Sequence, residues 1–337
     1  MKACFKYLDI NINIEIQDPE LFNQLNFFFC HSFSILSQWS DSPDYTIKVQ
    51  PSDYPRGELS NAKKDSVFIR KSVKDFFTRP ADRYTCPGKE IIHSLKSNAF
   101  IVFESQCINV FSMTSEDLLM DIVELIRDLV FKQTKVKGIL ALHSTVVEKD
   151  GEAILVIGKK GAGKSTTALD MVLNHGYNFV SGDKAFIKFA NNNLSVSGWP
   201  DYPHLGIGTF YGVEKLSEKL EFDHTQFTDP NEKVALSPAI FRTRIPHSKQ
   251  SSELPIKCIL FPNVQKKHIT SQRLENTKKH LHENIEEPFK GTKDWHHTIT
   301  PTKNNFELIF EALEKYPAYQ VSGTNVSQYI GDINELY

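Results

Sequence analysis

Long apolar runs are missing from this chain of 337 residues. Nothing in it approaches the ~18–20 consecutive apolar residues that a membrane-spanning helix needs, and the stretches at 25–30 and 153–158 fall far short. Residues 1–18 carry Lys2, Lys6, Asp9, Glu15 and Asp18 and no apolar core of the secretory kind, so no signal segment is expected. Cysteine is scarce, odd in number and scattered, at Cys4, Cys30, Cys86, Cys107 and Cys258. With no C-x-x-C pair, neither a disulfide framework nor a thiolate metal centre is expected, and reduced thiols in a cytoplasmic protein are. An excess of one charge is missing as well, with 39 basic against 41 acidic side chains. A net charge of -2 supplies no global field for nucleic acid or an anionic membrane, and neither is expected as a partner.

What is present is ordinary globular composition, 40% hydrophobic and 24% charged, which excludes disorder over most of the length. At about 150 residues per domain, the length suggests two domains or one elaborated domain, each able to bury a core. Residues 1–135 read as a small α+β region. Within Cys4–Ile16, apolar and polar residues alternate through Ile10, Ile12, Ile14 and Ile16 as in a half-buried strand, and 19–37 suits a packed helix. Short β-branched and aromatic runs at 45–49, 67–69, 91–93, 100–103 and 107–111 read as a small antiparallel sheet. Ser115 is the expected N-cap of a helix whose apolar face runs from Leu118 to Val130 and which ends at 135–138. No internal repeat is evident. Residues 262–291 form a polar, charge-rich passage, 306–315 a helical pattern, 318–321 a strand and 325–336 a closing helix.

The chemistry concentrates in 152–187. Residues 153–157 are a continuous apolar run, the mark of a buried strand, and lead directly into Gly158-Lys159-Lys160-Gly161-Ala162-Gly163-Lys164-Ser165. Helical spacing follows over 166–173. This is G-x-x-x-x-G-K-S in strand–loop–helix context. Glycines let the backbone curl its N–H groups around phosphate oxygens, and the new helix adds its positive end. Lys164 is placed to reach the β- and γ-phosphates of a nucleoside triphosphate and Ser165 to ligate Mg²⁺. No N-K-x-D element occurs. The nearest acid after an apolar strand is Asp183, 18 residues beyond Ser165, where it can ligate Mg²⁺ or accept a proton from an attacking hydroxyl.

His143, the phosphate loop beginning 15 residues later and the Gly-Tyr-x-Phe-Val-Ser-Gly-Asp-Lys run ending at Lys184 resemble the catalytic domain of HPr kinase/phosphorylase. More closely, they resemble the HPr-kinase-like kinases of peptide natural-product clusters, whose core is shared with phosphoenolpyruvate carboxykinase. The resemblance spans roughly 138–337, strongly at 143–187 and in outline beyond. It implies an α/β fold, with a P-loop kinase domain at 136–337 behind an accessory or recognition domain at 1–135. It implies ATP and Mg²⁺ as cofactors, with nucleotide contacts from Gly158, Lys159, Lys160, Gly161, Ala162, Gly163, Lys164, Ser165 and Thr166. Lys164, Asp183 and His143 take the catalytic positions, and Ser165 and Asp183 the metal. The family has paired aspartates where this chain has Gly182-Asp183, so one carboxylate must serve or another must come from elsewhere. It has an acid where Thr166 stands, and its phosphorolysis segment has no counterpart here, which leaves kinase activity alone. The implied acceptor is a hydroxyl, a serine of a peptide or protein before a small molecule. A regulatory module that binds nucleotide without transfer is the rival class, and homo-oligomerisation is left open.

Other charged groups are weighed against plain surface. Lys184 is expected to be a solvated lysine. Arg242 and Arg244, one residue apart, would share a face on a strand and could clamp phosphate; Lys233 is similar. Asp294 with His296 and His297, and His280 with His282 and Glu283, are expected to be exposed polar loop rather than metal sites.

Overall fold

The computed structural model describes residues 1–60, 62–72, 75–114, 117–227, 229, 232–249, 252–263, 270–287, 294–299 and 306–322. Two compact units result, one of Met1–Lys137 with Glu287–Asn304 and one of Gly138–Glu286 with Asn305–Tyr337. A single boundary near 136 therefore needs an amendment, because Glu287–Asn304 group with the first unit. Trp295 and His296 are buried there against Phe103, Trp295 edge-on at a ring distance of 5.9 Å and His296 stacked at 4.5 Å.

The first unit is built on nine strands: β1 (Lys2–Tyr7), β2 (Ile10–Ile16), β3 (Ser34–Leu36), β4 (Tyr45–Gln50), β5 (Lys63–Arg70), β6 (Arg79–Cys86), β7 (Lys89–Ser94), β8 (Phe100–Glu104) and β9 (Cys107–Phe111). They form one sheet in the order β3-β1-β2-β4-β9-β8-β7-β6-β5. It is mixed rather than antiparallel, since β4 runs parallel to both β2 and β9. Such pairs need crossover connections, and helix α1 (Pro19–Phe29) supplies the first. Asp18 caps α1 by accepting the N–H of Glu20 and Leu21 at 2.9 and 3.2 Å. The chain then leaves the helix and returns as β3, so the apolar pattern of 19–37 covers two elements. Helix α2 (Leu118–Val136) begins after the predicted cap, and Ser115 itself lies outside the described residues. Its polar side chains are not all solvated. Arg79 and Asp121 are both fully buried and paired at 2.8 Å.

The second unit contains β10 (Leu140–Leu142), β11 (Ser144–Lys149), β12 (Glu152–Ile157), β13 (Asn178–Ser181), β14 (Ala185–Ala190), β15 (Asn193–Gly198), β16 (His204–Gly206), β17 (Lys233–Ala235), β18 (Leu254–Asn263), β19 (Thr270–Arg273) and β20 (Ala318–Ser322). Its helices are α3 (Lys164–Asn174), α4 (Ile207–Gly212), α5 (Leu216–Leu220), α6 (Pro238–Arg244), α7 (Lys278–His282) and α8 (Glu307–Leu313). The main sheet runs β10-β14-β15-β18-β12-β11-β13, with β20 joined to β18 and β19. β12 lies parallel to β18, and β18 to β20.

The apolar run of β12 is explained by burial on both faces. Ile154 and Val156 pack with Ala168, Leu169 and Val172 of α3, and with Phe210, Leu216 and Phe241 from α4, α5 and α6. Ala153, Leu155 and Ile157 face the other way, onto Leu281 of α7 and Ile309, Phe310 and Leu313 of α8. Helices thus cover both faces of a mixed sheet, an α/β architecture. The closing helix expected at 325–336 lies outside the described residues. Among those described, no helix is long and apolar enough to cross a membrane.

Candidate functional site

The site is assembled at the end of β12. Ile157, fully buried, ends the strand, and the chain turns through 158–163 before Gly163 caps α3. Two positions in this turn need glycine. Gly161 and Gly163 have φ of 83° and 104°, the left-handed side that L side chains avoid. Gly158 has little room to spare, since a Cβ there would stand 3.1 Å from that of Ala162, closer than an ordinary contact. The result is a tight curl at a helix start, the form of an anion-binding nest.

Lys164 opens α3 with its side chain buried. Its Nζ donates to the carbonyl of Gly158 at 2.6 Å and that of Lys159 at 3.4 Å. Burial pushes the ammonium down to about 8; Asp183 and Glu286 oppose this, and Lys233 adds to it. Ser165 follows on the first turn, half-buried. Thr166 is buried, with its hydroxyl 3.4 Å from that of Thr209 on α4. A Cβ on Gly212 would meet its methyl group at 2.9 Å, so Thr166 packs α3 against α4. Lys159 pairs with Glu283 at 3.1 Å, and Lys160 is exposed.

Asp183 arrives from the turn between β13 and β14. Main-chain bonding holds that turn to β11: Ser144 N–H donates to the Asp183 carbonyl at 3.2 Å, and Thr145 Oγ1 to that of Gly182 at 2.9 Å. Burial alone would raise the Asp183 carboxyl. Lys184, with Nζ 3.1 Å from Oδ2, outweighs it together with His143 and Lys233 and holds Asp183 well below the usual carboxylate range. Lys184 is thus a partner of Asp183 rather than a free surface lysine.

His143 joins β10 to β11. Its Nδ1 is 3.1 Å from the main-chain carbonyl of Asp183, 3.4 Å from Asp183 Oδ1 and 3.7 Å from Glu286 Oε1. Burial pushes the imidazole below its ordinary value; the two carboxylates pull it back, while Lys164 and Lys184 reinforce the lowering. His143, Lys164, Asp183 and Lys184 therefore share one electrostatic site. Glu286 belongs to it too, and no motif in the sequence marks it. Its acid sits in a polar passage 100 residues and more from the loop, where only a three-dimensional bridge between Leu142 and Ile285 brings it home.

Lys233, on β17, is exposed and acts on Asp183 and Lys164 through charge. Arg242 and Arg244 lie on helix α6, not a strand, so a spacing of two does not align them, and Arg244 pairs with Glu221 at 2.7 Å. The exposed loop expected around His296 is instead buried structure. His296 Nε2 is 2.6 Å from Asp128, and Lys132 Nζ is 2.9 Å from Asp294. Among the described residues no group of three or more His, Cys, Asp or Glu could hold a metal ion. An open groove of about 610 Å³ in the first unit, lined by Trp39, Asp41, Lys48 and Cys107 among others, contains none of these residues. None of the five cysteines is in a disulfide.

No family model matches the chain. The chain is 30% identical over 94 residues to an HPr kinase/phosphorylase of Lachnoclostridium phytofermentans, a match covering 25% of this chain. It spans 30% of that relative's length. This is a distant HPr-kinase-like relationship over a quarter of the chain.

Proposed function

We propose that the second unit transfers the γ-phosphoryl group of ATP, with Mg²⁺, to a hydroxyl acceptor, most readily a serine of a peptide or protein. The observation that carries this reading is the convergence of Lys164, Asp183 and His143 beside the G-x-x-x-x-G-K-S curl. The residues present fit both cofactors. Two left-handed glycines and the absence of a Cβ at Gly158 leave a backbone cradle for phosphates. The hydroxyl of Ser165 and the ionised carboxylate of Asp183 are the hard oxygen donors that Mg²⁺ prefers.

In this reading the loop amides of 158–163 and Lys164 bind the β- and γ-phosphates, and Ser165 and Asp183 hold the metal. Mg²⁺, when bound, neutralises charge on the phosphate oxygens. Lys164 leaves the Gly158 carbonyl to meet the phosphates, and its charge favours the negative oxygens of the transition state. Asp183 stays ionised, so it can orient the acceptor hydroxyl and take its proton. His143 stands beside it, close to the phosphates. The first unit recognises the acceptor protein or a leader sequence, and the protein works in the cytoplasm.

Incubation with γ-labelled ATP and candidate peptides, followed by mass spectrometry, tests the proposal. Asp183→Ala should lose transfer while still binding nucleotide. If Lys164→Ala labels the same species as the wild type, the kinase reading fails; if no acceptor-dependent turnover exists to lose, the chain is a nucleotide-binding module.

A further inference from the structure

Residues 284–286 form a single-residue strand against the edge of β10. His143 N–H donates to the Asn284 carbonyl at 2.8 Å, and Glu286 N–H to the Ala141 carbonyl at 2.9 Å. Asn284 is buried, and its amide donates to the His280 carbonyl at 2.7 Å, which ties this segment to α7. Ile285 packs into the apolar layer beneath α7 and α8. The main chain of Glu286 is therefore fixed relative to that of His143 from both sides. Three oxygens then face one ring nitrogen. The Asp183 carbonyl, Asp183 Oδ1 and Glu286 Oε1 lie 3.1, 3.4 and 3.7 Å from Nδ1 of His143. Nε2 has no partner among the described residues.

Imidazole rotation about χ2 is a broad, two-fold motion, so an unsupported ring can exchange its edges. What holds a ring in one tautomer is the group opposite the nitrogen that bears hydrogen. The Asp183 carbonyl at 3.1 Å is the acceptor within hydrogen-bond reach of Nδ1, while the Asp183 carboxylate is drawn off by Lys184, which holds its Oδ2 at 3.1 Å. Glu286 makes no other ion pair among the described residues, and its side chain is mostly buried beside the ring.

We propose that Glu286 is a positioning residue of the transfer site, its charge helping the Asp183 carbonyl to hold His143 with hydrogen on Nδ1 and Nε2 free for the reacting groups. The inference rests on the kinase reading above for what His143 faces, but its structural half stands apart from it. The main-chain clip supplies position, and the carboxylate supplies ring orientation. Glu286→Gln keeps shape and fold while removing the charge.

Nitrogen-15 NMR of histidine-labelled protein, with His143 assigned by comparison with His143→Gln, reads the tautomer directly. The wild type is expected to show Nδ1–H at this residue, and Glu286→Gln a mixture of tautomers. Steady-state kinetics of the same variant should show kcat lowered about 10- to 100-fold, the range for loss of a group that orients a functional imidazole. KM for ATP should rise by less than kcat falls, because the loop backbone is untouched and Lys164 loses one of the two carboxylates that favour its charge. An unchanged tautomer with unchanged kcat overturns the proposal. A changed tautomer in a protein that transfers no phosphoryl group supports the positioning role and overturns the kinase reading alone.

Discussion

The ammonium of Lys164 donates to the carbonyl of Gly158 at 2.6 Å, so the loop lysine is bound by the loop it serves. Buried and facing a carbonyl, with carboxylates near but not in contact, its charge is held at a cost. Its value is depressed from 10.5 to about 8.

That depression has two consequences of fixed sign. In the free protein Lys164 begins to lose its proton near pH 8, and phosphate oxygens would restore it. Nucleotide affinity should therefore fall as pH rises above 8, by up to about tenfold per unit, with one proton taken up on binding. Calorimetry in buffers of different ionisation enthalpy measures that proton.

The unfolded chain holds the same proton up to about pH 10.5, so the folded state binds fewer protons between 8 and 10.5. Stability of the nucleotide-free protein then rises with pH across that window and carries the full penalty below pH 8. Lys164→Met should abolish nucleotide binding and yet stabilise the free protein by up to about 3 kcal/mol at pH 7. A lower melting temperature for this variant would contradict the assignment.

Gly198 tests how tightly the acid is mounted. A Cβ there would come within 2.8 Å of the Val180 carbonyl and 2.9 Å of a Val180 methyl group. Neither can withdraw, because Ser181 is bonded to Trp199 across the same contact at 3.0 Å. Gly198→Ala should cost about 1–3 kcal/mol through overpacking. It should also reduce transfer by displacing the turn that carries Asp183, while nucleotide affinity holds. Thermal unfolding and a labelled-ATP assay measure the two effects.

Much of this was legible in the residues. The β12 run, the glycine spacing and the apolar face of α3 all agree with one local geometry, so the loop could be placed without coordinates. Asp183 was legible because it follows a strand that must lie near that loop. Glu286 was not, since its position depends on a bridge to β10 across more than 140 residues of chain. β6 was hidden by Pro80, Asp82 and Arg83, residues that read as loop. Pro80 sits beside a bulge where its missing N–H is tolerated, and Arg83 and Asp82 are satisfied by Asp65 and Lys64. His296 misled for the same reason, because polarity in a one-dimensional reading says nothing of a buried partner.

That partner cluster gives a stability prediction. Lys132 is fully buried, with Nζ 2.9 Å from Asp294, 3.1 Å from Asp128 and 2.8 Å from the His296 carbonyl. Burial alone would raise the Asp128 carboxyl, but Lys132 and His296 outweigh it and leave it lowered. Lys132→Met removes the cation from between Asp294 and Asp128 and leaves Asp128, mostly buried, with His296 as its remaining partner in the cluster. A loss of about 3–5 kcal/mol is expected, the cost of breaking a buried pair from one side. Denaturant unfolding checks it, and a loss below about 1 kcal/mol, the value of an exposed pair, would mean the cluster is wet.

Lys233 supplies the most discriminating electrostatic test. It is exposed, yet its charge lowers the values of both Lys164 and Asp183. Lys233→Gln should therefore move the alkaline limb of nucleotide binding upward from about 8, because Lys164 then holds its proton to higher pH, while Asp183 rises toward the ordinary carboxylate range. An exposed charge acts through solvent, so both shifts should shrink between 0.01 and 0.5 M salt, roughly as the Debye length falls from about 30 Å to under 5 Å. A shift that salt leaves untouched would mean that Lys233 acts by direct contact with the bound phosphates instead, and its substitution would then lower affinity at every pH.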